Sequence, residues 1–242
     1  AAVEVILGTF EAEGKLPVNI PVYDWENNTY STENAFERGH GLTYEAKAPE
    51  HHTWKGLECE TCGATRENPL NDVAEDAYYF DSVLWALDEG ITVGTSEGVF
   101  SPDGELLRAQ FVTMLWRAAG KPEPTLTENP FADVKEGDYF YKAVLWALEN
   151  GITSGISENM FGSYAVTNRS QAVTFLWRYM GKPAAAGIYS FSDVEPGAWY
   201  EAPIVWAVGA GVTEGIGQDL FGVENSCTRA HAVTFLYRAI AG

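Results

Sequence analysis

Basic residues are scarce: 15 Lys and Arg stand against 34 Asp and Glu in 242 residues, a formal charge of −19. Nucleic acid and anionic membrane surfaces need a basic footprint that this chain lacks, so neither is expected as a partner. An anionic ligand is admitted only at local Arg sites. Cysteine is rarer still. Three residues are too few for a disulfide framework. No apolar run approaches the ~20 residues that cross a bilayer, so no membrane span is expected. The first residues have neither the charged nor the apolar region of a secretory signal. If the protein is exported, that signal lies upstream of Ala1 and the chain is a fragment. Paired carboxylates and nucleophile–base motifs are also missing, so the chain is not expected to be an enzyme. What remains, at 46% hydrophobic content, is ordinary globular material.

That material repeats. The segment Arg229-Ala-His-Ala-Val-Thr-Phe-Leu-Tyr-Arg238 has counterparts in Arg108-Ala-Gln-Phe-Val-Thr-Met-Leu-Trp-Arg117 and Arg169-Ser-Gln-Ala-Val-Thr-Phe-Leu-Trp-Arg178. Each closes a unit opened by Asp72, Asp133 or Asp193. Fixed offsets from that Asp carry an aromatic (Tyr79, Phe140, Tyr200) and a Trp (Trp85, Trp146, Trp206). Two glycines follow (Gly90 and Gly94, Gly151 and Gly155, Gly211 and Gly215), then a Phe (Phe100, Phe161, Phe221). A register kept three times, with a period of roughly 60 residues, marks supersecondary units that bury one another's faces.

Within the first unit, Tyr79, Phe80, Val83, Leu84 and Leu87 have helical spacing. Asp72 is expected to accept amides at that helix start, and Gly90 to end it. Phe100 is expected to fill the core from a loop. A second helix begins near Arg108, with Phe111, Val112, Leu115 and Trp116 on one stripe, and Gly120-Lys-Pro122 stops it. The Trp residues at both helices are expected to pack rather than to serve as sugar platforms. The fold class is therefore mainly α: three helix–loop–helix units, 69–125, 126–186 and 187–242, in a pseudo-threefold bundle. Each is too small to stand alone.

Residues 69–242 resemble three tandem S-layer homology modules. The resemblance rests on Phe131-Ala-Asp-Val134 and Phe191-Ser-Asp-Val194, with Leu70-Asn-Asp-Val73 as a variant, on the Gly-Ile/Val-Thr turns, and on the loop Phe. The family's Thr-Arg-Ala-Glu appears as Leu107-Arg-Ala-Gln110, Asn168-Arg-Ser-Gln171 and Thr228-Arg-Ala-His231, keeping the Arg and losing the Glu. The resemblance implies an extracellular, bacterial cell-surface protein. Such modules bind secondary cell-wall polysaccharide bearing pyruvylated sugars in grooves between modules. Arg108, Arg169 and Arg229 would then bind the pyruvyl carboxylate, aided by the helix N-terminus and by the planar guanidinium fork. Gln110, Gln171 and His231 would hydrogen-bond sugar hydroxyls, and His231 is expected to titrate near neutral pH. The other use open to each Arg is a salt bridge to a neighbouring module's acid. Arg117, Arg178 and Arg238 are expected to be structural, complementing helix C-terminal dipoles. A different function class, also open, is a scaffold that binds proteins or self-assembles at the cell surface.

Residues 1–48 lie outside the repeat. Gly8-Thr-Phe-Glu-Ala-Glu-Gly-Lys-Leu-Pro-Val-Asn-Ile-Pro21 and Arg38-Gly-His-Gly-Leu-Thr-Tyr44 resemble the end of the C-terminal α/β sandwich domain of family 3 glycoside hydrolases. That resemblance implies a small extended, irregular α/β remnant and an upstream catalytic domain acting on a β-linked glycoside such as an N-acetylhexosaminide. His40 and the acids Asp24, Glu26 and Glu33 are expected to be loop positions without a catalytic role. Residues 49–68 form a polar connector in which His51, His52, Cys59 and Cys62 have the types and spacing of a zinc knuckle. A linker with free thiols or a local disulfide is the competing account. No cofactor is expected beyond that structural zinc, and Cys227 is expected to be a small buried hydrophobe.

Overall fold

The computed structural model describes residues 52–185 and 191–242 in full, and the backbone of four strands before them. His40, Glu26, His51 and most of the stretches 8–21 and 38–44 lie outside the described residues. The chain divides into two compact units, Ala1–Arg66 and Glu67–Gly242.

In the first unit the strands are β1 (Gly14–Lys15), β2 (Ile20–Asp24), β3 (Thr29–Phe36) and β4 (Gly41–Leu42). β1 pairs antiparallel with β4, and β2 with β3. The β2–β3 register shifts on both sides of Pro21, which has no amide to give the ladder. β5 (Trp54–Lys55) and β6 (Glu58–Cys59) then make a short hairpin, with Trp54 opposite Cys59.

The second unit carries six helices among the described residues: α1 (Phe80–Asp88), α2 (Arg108–Ala118), α3 (Tyr141–Glu149), α4 (Arg169–Tyr179), α5 (Glu201–Gly209) and α6 (Arg229–Ile240). The caps explain where the longer ones begin. Asn168 and Thr228 accept the amides of Gln171 and His231, and the side chains of those two residues return to the cap amide. At α2 the cap is Leu107, which has no oxygen to offer, and only the return bond from its amide to Gln110 remains, at 3.0 Å. Gly90 ends α1 with φ +64°, the left-handed turn expected one residue beyond the cap.

Asp72 does not cap α1, contrary to the expectation from sequence; Tyr79 occupies that place. The carboxylates of Asp72, Asp133 and Asp193 instead reach 28 to 30 residues ahead and accept loop amides at 2.6–3.0 Å. The reason lies in Phe100, Phe161 and Phe221, which are fully buried as the sequence predicts. Each pulls its own amide out of water, and a buried amide needs an acceptor.

Helix pairing runs between units. α3 packs on α2, α5 on α4, and α1 closes the circle on α6. α4 touches both α2 and α6 at the centre, where Phe111 stacks against Phe175 with centroids 6.2 Å apart. The segments before α2, α4 and α6 interlock on the pseudo-threefold axis. The amide of Leu106 donates to the carbonyl of Cys227, that of Cys227 to Thr167, and that of Thr167 to Leu106, at 2.8–3.0 Å. All three residues are fully buried. Burial pushes the Cys227 thiol up to about 12, so it behaves as an apolar filler.

Candidate functional site: three composite grooves

Arg108, Arg169 and Arg229 are the first residues of α2, α4 and α6, and all three are buried, at 3–6% exposure. Each Nε donates to the carbonyl of the loop Phe in the next unit around the circle: Arg108 to Phe161 (3.1 Å), Arg169 to Phe221 (3.1 Å) and Arg229 to Phe100 (2.8 Å). The guanidinium also lies over that Phe ring, 4.8–5.1 Å from its centroid. A second nitrogen of Arg169 and of Arg229 reaches the hydroxyl of Thr213 and of Thr92. These bonds go to neutral oxygens, so the neighbouring-acid salt bridge weighed from sequence is not the contact formed by Nε. Burial pulls the Arg108 guanidinium down to about 10, with Asp133 opposing the shift, and it stays cationic at neutral pH.

The first two N-terminal amides of each of these helices are not available to an anion, contrary to the expectation. Those of Arg108, Arg169 and Arg229 donate to the carbonyls of Ala165, Asn225 and Gly104, and the next residues are bonded likewise. The third amide belongs to the capping box at Gln171 and His231, whereas Leu107 offers the Gln110 amide no side-chain acceptor. At α4 and α6 the anion-binding capacity rests on side chains.

Those side chains line three surface grooves, each assembled from all three units. The groove at α4 has a volume of about 430 Å³ and contains Gln171 and Arg178 of its own helix, Arg108 of the preceding unit and Trp199 of the following one. The groove at α2, about 330 Å³, combines Gln110 and Arg117 with Arg229 and Tyr139. The groove at α6, about 340 Å³, combines His231 and Arg238 with Arg169 and Tyr78. Every groove therefore holds two guanidiniums from different units. Arg117, Arg178 and Arg238 do sit in last turns, but each also donates to a carbonyl, of Ile91, Ile152 or Val212, and faces a groove. Gln110, Gln171 and His231 each commit one side-chain atom to the cap bond and stand at the groove wall. His231 Nδ1 lies 3.3 Å from the Thr228 amide and serves as its acceptor, which fixes a neutral ring. Burial, with Arg169 nearby, lowers its pKa from the ordinary 6.5, so its charging is displaced toward acid.

Tyr78, Tyr139 and Trp199 are absent from the sequence-based site. They are 56–61% exposed, large, and one residue before the aromatic that starts each first helix. Their rings meet Tyr79, Phe140 and Tyr200 edge-on at 4.9–5.1 Å. Their recurrence at one offset is the signal that would have found them. The Trp residues at the helices pack as expected: Trp146 and Trp206 are buried, and Trp85 meets Tyr237 at 5.5 Å.

Residues 69–112, 130–172 and 190–233 each match the S-layer homology domain. The chain belongs to the S-layer homology family. The chain is 24% identical over 176 residues to an amylopullulanase of Thermoanaerobacterium thermosulfurigenes, covering 71% of this chain and 9% of that protein. It is 25% identical over 171 residues to the S-layer protein sap of Bacillus anthracis, covering 68% and 20%. It is 25% identical over 175 residues to the exoglucanase XynX of Acetivibrio thermocellus, covering 69% and 16%. The chain thus spans no more than a fifth of these relatives. S-layer homology modules are anchoring modules, and they place this chain outside the cell, at the cell surface and bound to the wall. No helix among the described residues is long and apolar enough to cross a membrane.

The connector preceding the S-layer homology modules brings three of its four candidate ligands together. The donor atoms of His52, Cys59 and Cys62 all lie within 4.8 Å of one another, with Cys62 Sγ 3.5 Å from His52 Nδ1. His51 lies outside the described residues. Burial acts to raise the Cys59 thiol, but the amide of Cys62, the His52 ring and the amide of Thr61 outweigh it and hold the thiol at about 6.

Proposed function

We propose that this chain fixes an exported protein to secondary cell-wall polysaccharide, with pyruvylated sugars seated in the three inter-module grooves. The observation that carries this reading is the pairing, in every groove, of two guanidiniums with one exposed aromatic. A guanidinium edge matches a ketal carboxylate. The aromatic face suits the apolar side of a sugar ring, and the Gln and His donors suit its hydroxyls. With a net charge of −19 over the whole chain working against anions, the grooves are where an acidic glycan is tolerated.

The anchored cargo in this reading is a glycoside hydrolase of family 3 type upstream. It is supported by the residue pattern of 8–21 and 38–44 and by relatives named amylopullulanase and exoglucanase.

The test is co-sedimentation with purified wall sacculi before and after chemical removal of the secondary polysaccharide, with Trp199→Ala and Tyr139→Ala alongside. Binding that disappears on stripping and weakens in both variants supports a glycan anchor. Binding that survives stripping overturns it in favour of a protein-binding or self-assembling scaffold.

A further inference from the structure

The short hairpin of β5 and β6 is held by little that would fold it. Its strands are two residues each, and isolated hairpins of that size are marginal in water. Its apolar content is Trp54, Leu57 and the buried Cys59, with the Arg66 guanidinium 4.5 Å and the His52 ring 4.8 Å from the Trp54 ring. Yet the backbone is fully organised. The Cys59 amide donates to Ala64, that of Glu60 to Thr53, that of Gly63 to Cys59 and that of Arg66 to Leu57, all at 2.8–2.9 Å. Gly63, at φ +69°, turns the chain so that Cys62 comes round beside Cys59. Cys59 is 1% exposed while His52 and Cys62 are open to solvent, and both thiols are free.

We propose that His52, Cys59 and Cys62 hold a zinc-class divalent cation that staples residues 52–66. Donor type and separation both fit. A tetrahedral zinc with thiolates at about 2.3 Å and imidazole at about 2.1 Å places its ligand atoms roughly 3.5–4 Å apart. Cys62 Sγ and His52 Nδ1 stand at that spacing, 3.5 Å, and all three donor atoms lie within 4.8 Å of one another. The His52 ring packs tilted against Trp54, 4.8 Å between centroids, with Nδ1 3.5 Å from the Cys62 sulfur. The amides of Cys62 and Thr61 point at the Cys59 sulfur, the outer-shell support that a ligating thiolate requires. The three ligands leave one corner of the tetrahedron for a fourth donor. Because the ligands are gathered only when the hairpin forms, metal binding and hairpin folding are one equilibrium.

The experiment uses the whole chain. Purified protein is dialysed against Zn2+, its metal content is measured, and Co2+ is then exchanged in and followed by absorption. About one metal per chain and thiolate-to-cobalt charge-transfer bands are expected, with both lost in His52→Ala and Cys62→Ser. Alkylation of the wild-type protein keeps the test independent of variants that fail to fold. Zn2+ protects Cys59 and Cys62, and a chelator exposes them, while buried Cys227 stays unreactive throughout. Trace metal with no protection of reduced thiols overturns the proposal. So does isolation of the chain with Cys59 and Cys62 joined as a disulfide.

Discussion

Nε of Arg229 lies 2.8 Å from the carbonyl oxygen of Phe100, 129 residues earlier in the chain. The amide of that same Phe100 is held by Asp72 at 2.8 Å. One loop residue is thus clamped at its N–H by an acid of its own module and at its C=O by an Arg of another. The pattern repeats at Phe161 with Asp133 and Arg108, and at Phe221 with Asp193 and Arg169.

The clamp gives the groove arginines a structural duty that can be measured. Arg229→Ala leaves a buried carbonyl without its charged donor and is expected to cost roughly 2–4 kcal/mol in urea denaturation. A change below about 0.5 kcal/mol would mean the bond carries no stability.

Trp199→Ala should behave in the opposite way. At 56% exposure the ring contributes little to folding, so stability should stay within about 0.5 kcal/mol of the parent. Its loss from the groove is expected to weaken sacculus binding roughly tenfold, about 1.4 kcal/mol. Unchanged binding would remove the aromatic from the ligand site.

Two glycines separate conformational strain from steric strain. Gly151 and Gly155 both have positive φ, +65° and +83°. A Cβ on Gly151 meets nothing within 4 Å, whereas on Gly155 it falls 2.6 Å from the Met160 oxygen and 2.7 Å from the Phe131 ring. Gly151→Ala should cost about 1 kcal/mol and Gly155→Ala clearly more. Equal losses by denaturation would contradict the crowding seen at Gly155.

His231 makes stability depend on pH in a predictable direction. Its folded pKa lies below 6.5, so proton uptake favours the unfolded chain. Its contribution is complete above the unfolded value of about 6.5, declines below it, and is lost as pH falls through the lower folded value. His231→Gln, which copies Gln110 and Gln171, should flatten the denaturation midpoint between pH 7.5 and 5. A variant with the parent's slope would assign the titration to another group.

The repeat register, the helices and the buried loop Phe were legible because short-range spacing encodes them: Val83, Leu84 and Leu87 share a face, and Gly90 can turn where other residues strain. The duty of Asp72 was not. Its partners lie 28 and 29 residues away, and no local pattern distinguishes a carboxylate that caps a helix from one that captures a distant loop. The arginines were correctly placed at helix starts, yet their burial depends on an adjoining module's Phe. Tyr78, Tyr139 and Trp199 were passed over for the residues beside them, since exposure is settled by which helix packs on which.

Because α1 closes on α6, and because each groove takes its own helix, one Arg and one aromatic from three different modules, the number of working sites does not scale with the number of repeats. Removing the third module would take Arg229 from one groove, Trp199 from the second and the whole wall of the last. If the grooves are the glycan sites proposed above, loss of a single repeat would therefore abolish all attachment rather than a third of it.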